Sequence, residues 1–166
     1  MASAPKAGSR PDLSLEVRRT FAAPLEKVFA AWADPQQLKQ WMCGEKPGAT
    51  IIQHRQDVRT GGSWLTEYRP PASSEVYWGR GDYLEVTPQK KIVFTWQWTT
   101  VDGANLHPDS PDTQVSVEFF ARGNSTEVVL THSVFHSEKD YKDHNRGWEG
   151  CLDLLAKVLQ VTSARS

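Results

Sequence analysis

The repeat period of the apolar residues changes along this chain, and that change constrains the fold more than any other feature. Seven segments before residue 136 alternate apolar and polar side chains, which is the period of a strand with one buried face. Near the C-terminus the spacing becomes three and four, and one helical face then carries Trp148, Cys151, Leu152, Leu155, Val158 and Leu159. The sequence therefore predicts a strand-rich domain that ends in one long amphipathic helix.

Turn and loop signals separate the alternating segments. The first segment begins at Leu13, and the others cover residues 49–57, 63–68, 75–86, 91–99, 113–122 and 125–135. Residues 59–62 and 87–90 and the pair Gly123-Asn124 form short turns, whereas residues 101–112 form a longer loop. Because short turns join most of these strands, we expect an antiparallel meander.

Two short helices are predicted between the first and second strands. Pro24 suits a helix start, and one helical face then carries Leu25, Val28, Phe29 and Trp32. A second helix should follow Asp34 as its N-cap and run over residues 35–41. The long C-terminal helix should begin near Ser137 and lie across the concave face of the curved sheet, whose apolar side it would bury.

Composition and charge exclude several classes of protein. The chain has 166 residues, which fits one domain, predicted over residues 13–162 between a flexible leader (1–12) and a short tail (163–166). Nineteen basic and twenty acidic side chains leave a net charge of −1, which argues against a nucleic-acid binder. No apolar run approaches the roughly 20 residues that a membrane span needs. We predict no nucleic-acid partner and no membrane span.

The two cysteines and the N-terminal composition indicate a compartment. Cys43 and Cys151 have neither metal-ligand spacing nor the pattern of a disulfide framework, so we expect reduced thiols. Residues 1–13 lack the apolar segment of a secretory signal. Cys151 lies on the apolar stripe of the helix and is expected to be buried and unreactive. A cytoplasmic protein is the prediction.

Motifs that follow one another along the chain point to a known family. They cover residues 21–29 (FAAPLEKVF), 31–35 (AWADP), 57–64 (DVRTGGSW), 81–88 (GDYLEVTP), 93–96 (VFTW), 125–132 (STEVVLTH) and the pair Gly147-Trp148. With these motifs the chain resembles proteins homologous to the C-terminal domain of the activator of heat-shock protein 90 ATPase. That family belongs to the helix-grip superfamily, with START domains, birch-pollen-allergen-like proteins and polyketide cyclases.

The resemblance extends over about Leu13 to Leu159. It implies an α+β helix-grip fold, in which a curved antiparallel sheet of six or seven strands wraps around a long C-terminal helix. It does not choose a function, because carriers, cyclases and co-chaperones share this fold.

Large aromatic side chains on the predicted strands suggest a cavity beneath the helix. Ile92, Phe94, Trp96 and Trp98 alternate and should share the concave face. Such rings either surround a small-molecule site or fill the core, and the sequence leaves both possibilities open. The residues predicted to face a ligand are Trp64, Tyr68, Trp78, Phe94, Trp96, Trp98, Phe119, His132 and Trp148.

The histidines offer little support for metal binding or catalysis. His132 and His136 are four residues apart, but on a strand that spacing spans about 13 Å, too far for one metal ion. His132 is either a hydrogen-bonded core residue or a general base facing the cavity. His54, His107 and His144 lie among polar residues and are expected to be solvated.

Three functions remain as hypotheses. The preferred one is non-catalytic binding of a small apolar or aromatic molecule between the sheet and the C-terminal helix. The second is an interaction module with a protein partner, a chaperone or a second copy of the chain. The third is a cyclase or hydrolase that uses His132 as a base. No nucleophile elbow or phosphate-binding loop is present in the sequence, and neither metal nor cofactor is predicted.

Overall fold

Seven antiparallel strands form one curved sheet, and a long helix closes the chain. The computed structural model describes residues 10–44, 48–72, 74–106, 108, 112–135 and 137–164. The elements in chain order are β1 (Arg10–Phe21), α1 (Leu25–Ala33), α2 (Pro35–Leu38), β2 (Thr50–Gln56), β3 (Ser63–Arg69), β4 (Tyr77–Thr87), β5 (Lys91–Thr99), β6 (Thr113–Arg122), β7 (Ser125–Phe135) and α3 (Glu138–Ala164). The order of periods predicts this α+β arrangement of a curved antiparallel sheet and a long C-terminal helix, and the family resemblance implies its helix-grip form.

The sheet is a meander with one long-range pairing. Among the described residues the strand order is β1-β7-β6-β5-β4-β3-β2, so the β1–β7 ladder is the one pairing there between strands distant in sequence. That ladder already pairs Arg10 with Phe135, so β1 begins before the Leu13 expected from alternation. The predicted leader therefore overlaps the strand by three residues, and residues 1–9 lie outside the described part of the chain.

The two short helices form where proline and aspartate favour a helix start. Pro24 is the N-cap of α1, and the Asp34 side chain accepts a hydrogen bond from the backbone N–H of Gln36 at the start of α2. The second helix ends at Leu38, earlier than the predicted residue 41. Trp41 nevertheless lies in the core, where its indole N–H donates to the carbonyl of Ala31.

The concave face of the sheet is packed at one end and hollow at the other. Aliphatic residues of β1, β6 and β7 pack there against the second half of α3, and the fully buried members include Leu15, Val115, Val117, Val128, Leu130, Leu152 and Leu155. Arg19 of β1 donates to Glu149 and Asp153 of α3, at 2.5 and 2.6 Å, and ties the helix to this end. The other end, under the first half of α3, holds the cavity described next.

None of the described helices is both long enough and apolar enough to cross a bilayer.

Candidate functional site: a cavity beneath the first half of α3

A cavity of about 710 Å³ lies between β2–β5 and the first half of α3. Its volume is within the range of roughly 300–1,000 Å³ typical of small-molecule sites. Eight of the 26 residues that line it carry large aromatic rings: Trp32, Trp64, Tyr68, Tyr83, Phe94, Trp96, Trp98 and Trp148. The arrangement leaves room for a guest among rings, rather than a core that the rings fill completely.

The alternation of β5 builds the floor of the cavity. Ile92, Phe94, Trp96 and Trp98 all line it, because every second side chain of a strand points to the same face. Neighbouring rings meet edge to face, and the centroids of Trp64 and Trp96 are 5.0 Å apart. Six of the residues predicted to face a ligand line this cavity: Trp64, Tyr68, Phe94, Trp96, Trp98 and Trp148.

Trp78 does not line the cavity, contrary to the sequence-based expectation. The inward positions of β4 belong to Gly79, whose missing Cβ would lie 3.4 Å from the Trp64 and Trp96 rings, and to Tyr83. Strand pleating then directs Trp78 to the outer face. Gly81 is required more strictly, because a Cβ there would lie 1.8 Å from the backbone carbonyl oxygen of Thr95 and 2.6 Å from Nε1 of Trp64. The β4 glycines make room for the indoles of β3 and β5.

Phe119 is also absent from the cavity wall. It lies on the inward face of β6, but α1 covers it: its ring contacts Phe29 and Trp32 with centroids 5.3 and 5.4 Å apart. Trp32 lines the cavity, so Phe119 packs behind it as part of the core. Sequence alternation identified the face of the strand correctly but not the helix that covers it.

His132 is fully buried behind the cavity wall rather than in it. Its Nδ1 accepts the indole N–H of Trp148 at 3.0 Å, so in the neutral ring Nε2 carries the proton and donates to Thr113 Oγ1 at 2.9 Å. Burial lowers the pKa of His132 well below its ordinary value, and nearby His144 lowers it further. The ring is a neutral core histidine, and it is not placed to take a proton from a ligand in the cavity.

Four polar side chains of β2, β3 and β4 line the cavity and contact one another; we call His54, Gln56, Thr66 and Tyr83 the polar strip. His54 Nδ1 lies 2.5 Å from Thr66 Oγ1, and its Nε2 lies 2.6 Å from Gln56 Oε1. The Tyr83 hydroxyl donates to the same Gln56 oxygen at 3.3 Å. All four residues line the cavity. Burial lowers the pKa of His54 and raises that of Tyr83, so both are neutral at neutral pH.

The sequence-based expectation that His54 is solvated is wrong because of a bulge. The β2–β3 register shifts between Ile51 and Gln53, so Ile51 and His54, three residues apart, both line the cavity. An uninterrupted strand would place them on opposite faces. The run Ile51-Ile52-Gln53 interrupts the alternation of the segment, and this was the available signal for the bulge.

His144 is likewise part of the site rather than solvated. It lies on the first half of α3 and lines the cavity, with its ring centroid 4.7 Å from that of His132 and 5.8 Å from that of Trp96. Trp98 Nε1 approaches His144 Nε2 at 3.5 Å. The predictions for His107 and His136 concern residues outside the described part of the chain.

Three charged residues of α3 line one part of the cavity. They are Asp140, Asp143 and Arg146, and Arg146 donates to Asp143 at 3.3 Å. A hydrogen bond from Lys139 lowers the pKa of Asp143, and the charge of Arg146 lowers it further. The α3 side of the wall therefore carries charged groups, whereas the residues of the polar strip are neutral.

Both cysteines line the cavity as protonated thiols. The Cys151 thiol donates to the carbonyl of Met42 at 3.1 Å, and burial raises its pKa to about 12. Burial also raises the pKa of Cys43. Because the thiolate is the nucleophilic form, neither residue is activated for covalent chemistry at neutral pH.

Two indole N–H groups of the wall have no hydrogen-bond partner within the described ranges: Nε1 of Trp32 and Nε1 of Trp96. Buried indole donors usually find an acceptor, and these two N–H groups are exceptions to that rule. Among the residues that the structure describes, no group of three or more His, Cys, Asp or Glu side chains is arranged to hold a metal ion.

Comparisons with known proteins agree with the fold. The family described as "Activator of Hsp90 ATPase homolog 1-like protein" matches residues 22–160. The crystal structure of an AHSA1 protein from Silicibacter pomeroyi is 25% identical, with a TM-score of 0.77 over 90% of this chain and 99% of that one. A Chromobacterium violaceum protein of 22% identity superposes with a TM-score of 0.74 over 89% of this chain and 97% of that one. No curated protein matches the sequence.

Proposed function

Because this chain belongs to the Activator of Hsp90 ATPase homolog 1-like family and encloses a cavity of about 710 Å³, we propose that it binds a small apolar or aromatic molecule without altering it chemically. The single observation that carries this proposal is the aromatic wall of β3, β5 and α3 around open space. Aromatic side chains offer both apolar area and ring-stacking contacts to a planar guest.

The apolar area is sufficient for useful affinity. A two- or three-ring aromatic molecule that loses roughly 300 Å² of apolar surface to such a wall gains roughly 7 kcal/mol at about 25 cal/mol per Å². Part of that gain offsets the lost translational and rotational freedom of the guest. We therefore expect dissociation constants in the micromolar range or weaker for guests held by apolar contact alone.

The chemistry of the wall favours a binding role over catalysis. The two thiols are protonated, and His132 is occupied by Trp148 and Thr113 behind the wall. The enzyme hypothesis required His132 as the base, and this geometry supplies no contact between that ring and the cavity.

A pair of substitutions at Gly147 tests the proposal. Gly147 lines the cavity on α3, and an added Cβ meets nothing within 4 Å, so the helix accepts a side chain there. Gly147→Phe should place a ring in the cavity and weaken naphthalene binding, measured by isothermal titration calorimetry, at least ten-fold. Gly147→Ala is the matched control, which adds only a methyl group and should keep the affinity within two-fold of wild type.

Two results would contradict the proposal. The first is that neither naphthalene nor a larger aromatic hydrocarbon gives a heat of binding with the wild-type protein at millimolar protein concentration. The second is equal affinity in the Phe and Ala variants, which would place any bound hydrocarbon outside this cavity.

A further inference from the structure

We propose that the polar strip selects a neutral, hydroxyl-bearing aromatic guest, such as a phenol or naphthol, and disfavours an aromatic carboxylate. This inference rests on the proposed function, since it assigns the chemical class of the ligand for the same cavity. The groups that the strip can offer to a guest depend on which hydrogens of His54, Gln56, Thr66 and Tyr83 are already used in hydrogen bonds within it.

Gln56 fixes the orientation of the whole strip. Its Nε2 lies 3.1 Å from the carbonyl oxygen of Trp32, and only the amide nitrogen can donate there. Its Oε1 is therefore the atom that faces His54 Nε2 and the Tyr83 hydroxyl, and it accepts from both. His54 consequently carries its proton on Nε2.

The tautomer of His54 then determines what Thr66 does. With the proton on Nε2 and burial holding the ring neutral, Nδ1 is an acceptor. The Thr66 hydroxyl, 2.5 Å away, must donate its only hydrogen to it. The hydroxyl hydrogens of both Thr66 and Tyr83 are thus used inside the strip, and each oxygen keeps lone pairs that can accept a further hydrogen bond.

The strip therefore presents hydroxyl acceptors to the cavity. A guest hydroxyl can donate to Thr66 or Tyr83, whereas a carboxylate brings only further lone pairs and would face acceptors. A guest hydroxyl carries the hydrogen that these acceptors can bind, and a carboxylate has none.

The charged residues that line the cavity do not stabilise a carboxylate guest at the polar strip. The neutral His54 supplies no cation at the strip. Arg146 lines the cavity, but it donates to Asp143, and Asp140 adds a second carboxylate to the same part of the wall. A carboxylate guest would lose its hydration without gaining an ion pair at the strip, which costs free energy.

Three matched probes test this assignment: naphthalene, 2-naphthol and 2-naphthoate, titrated by calorimetry at pH 7.5. We expect 2-naphthol to bind about five-fold more tightly than naphthalene, the effect of about one net hydrogen bond. We expect 2-naphthoate to bind more weakly than naphthalene. In the double variant Thr66→Val/Tyr83→Phe, the naphthol-to-naphthalene affinity ratio should fall to within two-fold of unity.

A second double variant serves as the control. Thr126→Val/Tyr77→Phe likewise removes one threonine and one tyrosine hydroxyl, but from residues that do not line the cavity. This variant should preserve the naphthol-to-naphthalene affinity ratio of the wild type. Equal binding of naphthol and naphthalene by the wild type would overturn this inference and leave the proposed function standing, as would tightest binding of naphthoate. Binding of none of the three probes would overturn both proposals.

Discussion

The two ends of the concave face differ in how they meet the same helix. At the β1–β7 end, Leu152 and Leu155 of α3 are fully buried against valines and leucines of the sheet. At the β2–β5 end, the first half of α3 faces tryptophan, phenylalanine and tyrosine rings across an open volume of about 710 Å³. One sheet and one helix thus form a core and a cavity side by side.

The difference shows how side-chain shape determines whether a helix and a sheet close on each other. Branched aliphatic residues interdigitate at the density of a protein interior. Large planar rings that pack edge to face with one another, such as Trp64 against Phe94 and Trp96, make a stiff wall that cannot fill the remaining space. Arg19 holds the helix to the packed end through Glu149 and Asp153, and leaves its first half to span the cavity.

Truncation of matched aliphatic residues gives the largest expected contrast between the two ends. Leu155→Ala removes three carbons from the packed end and should lower the free energy of unfolding by about 2–5 kcal/mol. Ile51→Ala removes the same number of carbons from the cavity wall and should cost distinctly less, because Ile51 already lacks neighbours on one side. Urea denaturation of both variants measures the difference. Equal losses would contradict the existence of a hollow end.

Buried His132 should make the stability of the protein depend on pH. Burial and His144 keep the pKa of His132 well below the ordinary 6.5, so the folded protein leaves this ring neutral while the unfolded chain protonates it below about pH 6.5. The unfolded state then binds more protons, and stability is lost as the pH falls from 6.5 towards the folded pKa. The loss for one such histidine is at most about 1.4 kcal/mol per pH unit.

A variant isolates that contribution. Glutamine in place of His132 keeps an acceptor for Trp148 and carries no titrating proton, so the stability of His132→Gln should fall less steeply than that of wild type between pH 6.5 and 5. Urea unfolding at half-unit pH steps gives both curves. Parallel curves would show that His132 is protonated equally in the folded and unfolded states, contrary to its burial.

Periodicity predicted the fold because it reports which face of each element is buried. The bounds predicted for β5, β6 and β7 agree with the structure, and the four inward residues of β5 share one face. The predictions of side-chain environment were wrong where a neighbouring helix covers a strand face or where a bulge changes the face on which a residue lies. Phe119 is inward but covered by α1, and the bulge in β2 places both Ile51 and His54 in the cavity wall.

Trp78 shows a different limit of the sequence. A large ring next to Gly79 suggests that the ring is the inward residue, whereas the inward position is the glycine, over which Trp64 and Trp96 pack. The rings of Trp64 on β3 and Trp96 on β5 pack over Gly79 of β4, so this arrangement depends on the pairing of three strands. No pattern within one strand reports it. The polar strip has the same character, because its members come from β2, β3 and β4.

The tryptophans themselves provide the most direct test of the hollow end. In a ¹H–¹⁵N spectrum, titration with naphthalene should shift the indole N–H signals of the five tryptophans that line the cavity: Trp32, Trp64, Trp96, Trp98 and Trp148. The signal of Trp78, on the outer face of β4, should stay in place and serves as the internal control. Shifts confined to Trp78, or no shifts at saturating naphthalene, would contradict a ligand-binding cavity beneath α3.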